Sequence, residues 1–427
     1  MALQITAIPD DPALLDLPWS TPLEDWPADQ LVALPRGISR HVVRFVRISG
    51  QVYAVKEVPH RIAQREFELL RRLERRDVPA VDAVGVITGR ETPTGEPVET
   101  ALITRHLQFS LPYRALFSQT LRPDTANRLL DALAVLIVRL HLAGFAWGDC
   151  SLSNTLFRRD AGAFAAYLVD AETGEMHPQL SEGQRRYDVD LAGQNIAGEL
   201  MDLQSGGLLD ESVDPIDTGL DIIDRYTGLW DEITGQSVFG AGERYRFEQR
   251  LRRLNELGFD VAEVQMTAED GGSRVVVTPK VVDAGHHTRR LLRLTGLDVQ
   301  ENQARRLLNA IDTYRAVLGA PEEDEEIVAH RWVNEVFQPV VRAVPRELRR
   351  KLEPAEVFHE VAEHRWYLSE AAGRDIGLDT AVRSYIDNVL AHKPDEKAVL
   401  GRRIGRPSSG YTSYDDFDTA ELPPIIG

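Results

Sequence analysis

The chain has 427 residues, of which 43% are hydrophobic and 27% charged, and its net charge at pH 7 is −18. This length and composition predict two or three globular domains, and the negative charge argues against general nucleic-acid binding because phosphates would be repelled. The single cysteine, Cys150, excludes an intramolecular disulfide and a cysteine-rich zinc site. No apolar run reaches the roughly 18 residues of a membrane span and no signal-peptide pattern opens the chain, so we expect a soluble cytoplasmic protein.

The two ends of the chain differ in composition from the rest. Prolines in residues 1–30 exclude a long helix, and Trp19 and Trp26 stand beside two of them. We interpret this stretch as an extended N-terminal arm that packs its tryptophans onto the first domain. Residues 401–427 are rich in Gly, Ser, Pro and Asp, a composition that predicts a disordered tail.

Residues 42–105 alternate between strand and helix patterns. Two β-forming runs around the turn Ser49-Gly50 predict a hairpin, whose second strand, V-Y-A-V-K, ends at Lys56. Apolar residues at helical spacing predict a helix over 61–76, in which Glu66 has Leu70 and Leu73 four and seven residues behind it. Apolar segments at 83–87 and 100–104 predict two more strands.

The most informative stretch is 147–157, W-G-D-C-S-L-S-N-T-L-F, which follows a helix predicted over 124–145. Asp149 and Asn154 stand five residues apart on a polar loop, and a short apolar strand sixteen residues later ends at Asp170. Phosphoryl transfer needs such a set: one carboxylate orients the attacking hydroxyl, while an amide and a second carboxylate hold magnesium on the ATP phosphates. Asp188 then opens another apolar helix.

The order of these motifs resembles that of protein kinases, with V-A-I-K, H-R-D-L-x-x-x-N and D-F-G counterparts ending at Lys56, spanning the Asp149 loop and starting at Asp170. The resemblance covers about residues 31–230, and the small C-lobe is similar to bacterial lipopolysaccharide (Kdo) kinase-like and aminoglycoside-kinase-like enzymes. It implies an α+β, two-lobed kinase-like fold. We expect an N-lobe over 31–105, with a small antiparallel sheet and a helix, and a helical C-lobe over 106–235.

The resemblance also implies roles for the motif residues. Lys56 would contact the α- and β-phosphates of ATP and pair with Glu66, Asp149 would be the catalytic carboxylate, and Asn154 and Asp170 would bind Mg²⁺. Adenine would bond the backbone of a hinge near residues 105–106.

Two further positions follow from the same resemblance. Gly37 and Arg40 lie where a glycine-rich loop would cover the nucleotide, although 36–41 contains only one glycine. Asp188 would brace the backbone of the catalytic loop; a plain helix N-cap would suit this residue equally well.

Several departures leave the activity open. Trp147 replaces the histidine of the kinase loop, Ser151 replaces a lysine that neutralises the γ-phosphate, and D-A-E at 170–172 replaces D-F-G. The first hypothesis is an ATP- and Mg²⁺-dependent phosphotransferase whose acceptor is a small molecule, a lipid or sugar, or a protein. The alternatives are a pseudokinase that binds nucleotide or serves as a scaffold, and a nucleotidyl transferase on the same fold.

The C-terminal region, 236–400, carries no recognisable catalytic motif. We expect a separate, mostly helical domain with one β-hairpin, and the layout is similar to a bacterial family that joins a lipopolysaccharide-kinase-like part to a C-terminal domain of unknown function. Arginines on its helices would either dock a substrate or partner, or merely offset nearby carboxylates. The helices are predicted at 286–295, 299–317, 325–342, 345–352, 354–372 and 378–391.

Overall fold

The computed structural model describes residues 3–7, 12–32, 34, 41–112, 116–117, 123–210, 213–240, 244–269, 274–319 and 323–393. The predicted site residues Gly37 and Arg40 and the predicted tail at 401–427 lie outside the described residues.

The N-lobe contains an antiparallel sheet with strand order β1-β4-β5-β3-β2. Ser49 and Gly50 both have positive φ, +48° and +86°, which matches the twist of a two-residue hairpin turn. One helix, α1 (His60–Glu74), packs against the sheet. The predicted order of hairpin, helix and two strands is therefore confirmed. The strands are β1 (Gln4–Ala7), β2 (Val43–Ile48), β3 (Gln51–Val58), β4 (Ala83–Thr88) and β5 (Thr100–Arg105).

The N-terminal arm is anchored to the outer face of this sheet. Trp19 and Trp26 are only 3% and 4% exposed, and their rings meet edge to face at 5.4 Å. Buried Arg90 donates to the backbone oxygens of Trp19 and Thr21, at 2.9 and 2.7 Å. The interpretation of an arm that buries its tryptophans is confirmed; strand β1, which pairs with β4, was not foreseen.

The C-lobe is built around three helices whose apolar sides share one core: α2 (Pro123–Leu142), α3 (Glu182–Ser205) and α4 (Pro215–Thr234). Two small sheets cover the end of this bundle that faces the N-lobe. One has the order β6-β8-β9 and the other pairs β7 with β10. These strands are β6 (Leu111–Pro112), β7 (Phe145–Ala146), β8 (Thr155–Asp160), β9 (Ala163–Leu168) and β10 (Glu175–Met176).

A third sheet, of order β11-β13-β12, follows the C-lobe together with helix α5 (Arg244–Glu256). It comprises β11 (Ser237–Gly240), β12 (Phe259–Glu269) and β13 (Arg274–Ala284), which confirms the predicted hairpin. Leu254 and Phe259 are fully buried in the same core as the C-lobe helices. The apolar core that begins at Leu291 is a separate cluster.

Residues 286–393 form a helical unit that we call the C-terminal helical domain. Two predictions need correction. The helix expected at 345–352 is only a 3-10 turn, Arg346–Leu348. The helix expected at 325–342 is interrupted by a π-helical turn, Val333–Phe337, just before Pro339, which has no N–H to donate. The helices are α6 (His286–Thr295), α7 (Glu301–Leu318), α8 (Glu325–Trp332), α9 (Gln338–Ala343), α10 (Pro354–Ala372) and α11 (Leu378–Asn388).

Across the described residues, no helix combines the length and the apolar character that crossing a lipid bilayer would require.

Candidate active site

Lys56 lies at the centre of a cluster of carboxylates between the lobes. Its ammonium donates to Glu66 at 3.1 Å, to Asp170 at 2.8 Å and to Glu172 at 3.0 Å. Burial opposes the charge on Lys56, but the nearby carboxylates of Glu66 and Asp170 outweigh it and raise the pKa of the amine. The structure thus brings together Lys56, Glu66 and Asp170. Lys56 and Asp170 are 114 positions apart in the sequence.

Glu66 owes its position to the amphipathic pattern of α1. The side chain is 2% exposed and lies beside the apolar face that contains Leu69, Leu70 and Leu73. Burial, and then the charge of Asp170, raise the pKa of Glu66 to about 8. Glu66 therefore retains a proton more readily than a free glutamate does.

Glu172, which replaces the glycine of D-F-G, takes part in the same cluster. Besides Lys56 it contacts His41 Nε2, at 3.1 Å. Burial disfavours its charge, but Lys56 and His41 prevail and lower the pKa of Glu172. Oxygens of Glu66, Asp170 and Glu172 lie within 4.8 Å of one another, so this group of acids offers oxygen ligands for a cation.

Asp149 stands half-buried on the loop after β7, as expected for a residue between the lobes. Its carboxylate accepts hydrogen bonds from two amide side chains: Asn154 Nδ2 at 3.3 Å and Asn195 Nδ2 at 3.4 Å. Asn154 Nδ2 also donates to the backbone oxygen of Asp149, at 3.1 Å. The two amide side chains therefore orient the Asp149 carboxylate.

Asn154 and Asp170 are brought together by strand pairing. Asn154 immediately precedes β8, and Asp170 follows β9, its antiparallel partner. The backbone oxygen of Asn154 accepts from Val169 N at 3.0 Å, so the two residues sit at neighbouring strand ends. The Asn154 amide nitrogen is held by Asp149, and no described residue donates to its side-chain oxygen, which is the atom a magnesium ligand would use.

Asp188 braces the catalytic loop. Its two carboxylate oxygens accept from the backbone N–H groups of Trp147 and Gly148, at 2.8 and 2.7 Å, and Gly148 reaches this geometry with φ of +75°. His141 Nε2 lies 2.8 Å from the same carboxylate. Burial would raise the pKa of Asp188, but His141 and the two N–H groups lower it.

The N-cap alternative for Asp188 is wrong. Helix α3 begins at Glu182, and its N-cap is Ser181, whose side chain and that of Gln184 form a reciprocal capping box. Asp188 is therefore inside the helix, and its buried side chain is free to reach the loop.

A second carboxylate on α3 holds the other half of the loop, and the sequence interpretation missed it. Glu199 accepts from the backbone N–H groups of Leu152 at 2.6 Å and Ser153 at 3.1 Å. Asp188, Asn195 and Glu199 are spaced seven and four residues apart, which places them on one face of the helix. The seven- and four-residue spacing that begins at Asp188 was the signal that could have identified Asn195 and Glu199.

The departures from the kinase pattern have structural explanations. Trp147 is 1% exposed, and its indole Nε1 donates to the backbone oxygen of Asp170 at 2.9 Å, so it connects the loop to the segment that follows β9. Ser151 is buried and accepts from Asn154 N at 3.3 Å. Ser151 therefore shapes the loop and does not supply the missing cation.

The hinge expected near residues 105–106 follows β5. The N–H groups of Arg105 and His106 donate to Asp82 O and Val52 O, both at 2.9 Å. Burial lowers the pKa of His106 to about 4, so this side chain is neutral. An adenine at the hinge would thus have to use a carbonyl or the residues that follow.

Comparisons with known proteins match two parts of the chain. Residues 43–193 match the model of the lipopolysaccharide kinase (Kdo/WaaP) family, and residues 228–390 match a domain of unknown function, DUF4032. Both matches confirm the resemblance seen in the sequence, and the first makes the N-terminal part similar to kinase-like phosphotransferases.

A solved structure described as WaaP in complex with acyl carrier protein also resembles the chain. The identity is 17%, the match covers 60% of this chain and 99% of that one, and the TM-score is 0.36. No curated protein sequence matches the chain.

Proposed function

We propose that this protein transfers the γ-phosphoryl group of ATP, in the presence of Mg²⁺, to an acceptor hydroxyl. The observation that carries the proposal is the contact of Lys56 with both Glu66 and Asp170, beside a catalytic loop that presents Asp149. The match of residues 43–193 to a kinase family supports it. The cytoplasmic location predicted from the sequence is part of the same proposal.

Each site residue has a distinct task in this reaction. Lys56, held by Glu66, contacts the α- and β-phosphates, and Asp149 orients the acceptor hydroxyl. The acceptor oxygen forms a bond to the γ-phosphorus while the bond from that phosphorus to the β,γ-bridging oxygen breaks. The hydroxyl proton passes to Asp149 and ADP leaves. The amide side chains of Asn154 and Asn195 donate hydrogen bonds to the Asp149 carboxylate and keep it in place.

Asn154 and Asp170 suit a magnesium ion by their chemistry, because amide and carboxylate oxygens are the hard ligands that Mg²⁺ prefers. The side-chain oxygen of Asn154 receives no hydrogen bond from the described residues, and Asp170 lies next to the Val169 N–H that joins the two strand ends. When bound, Mg²⁺ would neutralise phosphate charge. Glu172 stands close enough to supply a further oxygen.

The test uses purified protein with Mg-ATP labelled separately at the α- and γ-phosphates. Label from the γ-position should appear on an acceptor drawn from sugars, lipids and proteins, and should not appear with the Asp149→Asn variant. Transfer of the α-label would instead establish nucleotidyl transfer. Failure of every acceptor, with Mg-ATP binding intact, would contradict the phosphotransferase proposal.

A nucleotide-binding module without transfer is the second candidate, and one contact favours it. Glu172 and Asp170 both occupy the Lys56 ammonium, which leaves that group less available for phosphate. Glu172→Ala separates the two cases. If the protein binds nucleotide without transferring phosphate, this variant should bind ATP more tightly than the wild type, and neither protein should transfer phosphate.

We further propose that the C-terminal region predicted at 236–400 is a domain of its own only from residue 286 onward, because Leu254 and Phe259 share the core of the C-lobe, whereas a separate apolar core begins at Leu291. The predicted arginine docking face finds less support, since several of these arginines form ion pairs: Arg253 with Glu232 at 3.0 Å and Arg306 with Glu363 at 3.8 Å. Arg290 likewise pairs with Glu325. The pairs favour the alternative that the arginines offset nearby carboxylates.

A further inference from the structure

The hairpin formed by β8 and β9 connects the two proposed magnesium ligands. Its inner end, which we take to include the loop 147–153 that leads into β8, carries Asn154 and Asp170, and its outer end is the two-residue turn Ala161-Gly162. The strands are six residues each, so displacement of the outer end is passed along a short, hydrogen-bonded ladder to both ligands. The contacts that hold the outer end therefore influence the positions of Asn154 and Asp170.

Asp160, the last residue of β8, is inserted into the start of α7 in the C-terminal helical domain. Its carboxylate accepts from Asn302 N at 3.1 Å, Asn302 Nδ2 at 3.0 Å and Gln303 N at 2.8 Å. The side chain is 2% exposed. A carboxylate at the first turn of a helix satisfies free N–H groups and interacts favourably with the helix dipole, so Asp160 acts as a cap supplied from another domain.

The turn itself is held by a second buried carboxylate. Ala161 N donates to Glu356 Oε2 of α10 at 2.8 Å, and Gln303 Nε2 donates to the same oxygen at 2.9 Å. Ala161 has φ of +52°, a conformation that is unfavourable for a residue with a side chain. The hydrogen bond to Glu356 thus stabilises a turn that local preference alone does not favour.

Contacts continue along both strands. On β8, Arg158 pairs with Glu353 at 2.7 Å; on β9, the hydroxyl of Tyr167 donates to Gln300 Oε1 at 2.5 Å. Gln303 Nε2 also reaches Arg159 O at 3.1 Å. Each strand and the turn between them are therefore attached to the C-terminal helical domain.

We propose that the C-terminal helical domain is a positioning part of the phosphotransfer centre, which fixes Asn154 and Asp170 by clamping the outer end of the β8–β9 hairpin, with Asp160 as the principal positioning residue. This inference rests on the proposed function. The matching architecture at the inner end, where Asp188 clamps the loop backbone, shows that buried carboxylates serve the same purpose twice in this chain.

The test measures how much Mg²⁺ is needed to raise the melting temperature at fixed, saturating ATP, in the full chain at pH 8. Asp160→Asn keeps the shape, but its amide donor faces the N–H groups of Asn302 and Gln303. We expect the Mg²⁺ midpoint to rise about tenfold, the lower end of the loss seen when outer-shell support of metal ligands is removed. A substitution that only destabilises the fold would lower the melting temperature of free protein and leave this midpoint unchanged.

Two milder variants keep the inference testable if Asp160→Asn does not fold. Tyr167→Phe removes the hydroxyl that reaches Gln300, whereas Tyr385→Phe removes a buried hydroxyl that reaches Glu360 within the C-terminal helical domain, at 2.7 Å. Only Tyr167→Phe should raise the Mg²⁺ midpoint. Mg²⁺ midpoints that equal the wild-type value in Tyr167→Phe, Tyr385→Phe and Asp160→Asn would overturn the inference.

Hydrogen exchange without nucleotide separates this inference from the proposed function. In Asp160→Asn, the amides of 152–155 and 168–170 should exchange faster than in the wild type, although they are remote from residue 160 in sequence. If the wild type shows no response to Mg-ATP, the proposed function fails, and exchange alone decides whether the clamp exists. Unchanged exchange at those amides would show that the outer end does not control the ligands.

Discussion

The two ends of the β8–β9 hairpin use the same device with opposite electrostatic results. At the inner end, Asp188 receives two backbone N–H groups and His141, and its pKa is lowered. At the outer end, Asp160 receives three N–H groups but no cation; burial raises its pKa to about 7. At Asp160 the effect of burial on the pKa outweighs that of the hydrogen bonds, whereas at Asp188 the hydrogen bonds from His141 and the two N–H groups outweigh burial. We therefore expect the charge on Asp188 to persist across the neutral pH range and the charge on Asp160 to change within it.

The largest effect should come from the residue that the inner end presents. Asp149→Asn keeps the side-chain shape and removes the charge that orients the acceptor hydroxyl. We expect kcat to fall by about 10²–10⁴-fold, in the range of general-base contributions, with little change in ATP affinity. Transfer rates and ATP binding measured on the same preparation check this, and a wild-type rate in the variant would remove Asp149 from the mechanism.

The second-largest effect should come from the removal of Asp188, which anchors the loop at the inner end. Asp188→Ala leaves His141 and the N–H groups of Trp147 and Gly148 without their buried acceptor, so we expect a loss of about 3–5 kcal/mol in the free energy of unfolding. Urea unfolding at pH 7 measures it. Asp190→Ala is the matched control, because Asp190 is exposed on the same helix; equal losses would contradict the anchoring role.

Nucleotide binding tests Lys56 and the proposed magnesium ligand Asp170. Mg-ATP should raise the melting temperature of the wild type more than ATP with a chelator, because a ligand that binds only the folded state stabilises it. Lys56→Ala should weaken the shift, and Asp170→Ala should remove its dependence on Mg²⁺. The absence of any shift at millimolar nucleotide would contradict both the enzyme and the nucleotide-binding module.

The inner end was largely predictable from the sequence, and the outer end was not. Lys56, Glu66, Asp149, Asn154 and Asp170 stand in motifs with short spacings. In the structure Lys56 contacts Glu66 and Asp170, and Asn154 contacts Asp149. Asn195 and Glu199 were missed because they belong to no motif. Asn195 donates to the Asp149 carboxylate and to the backbone oxygen of Cys150, and Glu199 accepts from backbone N–H groups, which any residue type except proline could provide.

The partners of Asp160 lie more than 140 positions away, in α7, and the partner of Ala161 lies 195 positions away, in α10. No periodicity or spacing relates them, since a carboxylate that caps a helix from another domain looks like any polar residue at a strand end. The break in the helix predicted at 325–342 was foreseeable from Pro339, because a proline inside a helical pattern removes one hydrogen bond.

The smallest effect concerns the pH dependence of the outer end. The pKa of Asp160 is about 7 in the folded protein against 3.8 for a free side chain, so the folded state binds more protons between these values. The free energy of unfolding should therefore fall as pH rises from about 4 to about 7, and level off above it. One pKa unit corresponds to about 1.4 kcal/mol, so a change of this kind is measurable.

Asp160→Asn isolates this contribution. Glu66 and Glu356, whose pKa values burial also raises, are present in the variant and the wild type alike, as is the Arg158–Glu353 pair beside the turn. Stability of wild type minus variant, from urea unfolding at pH 5 and pH 8, should therefore decrease with rising pH. A difference that is constant across this range would mean that Asp160 is ionised throughout, as Asp188 is, and that the two ends of the hairpin do not differ in the way their environments indicate.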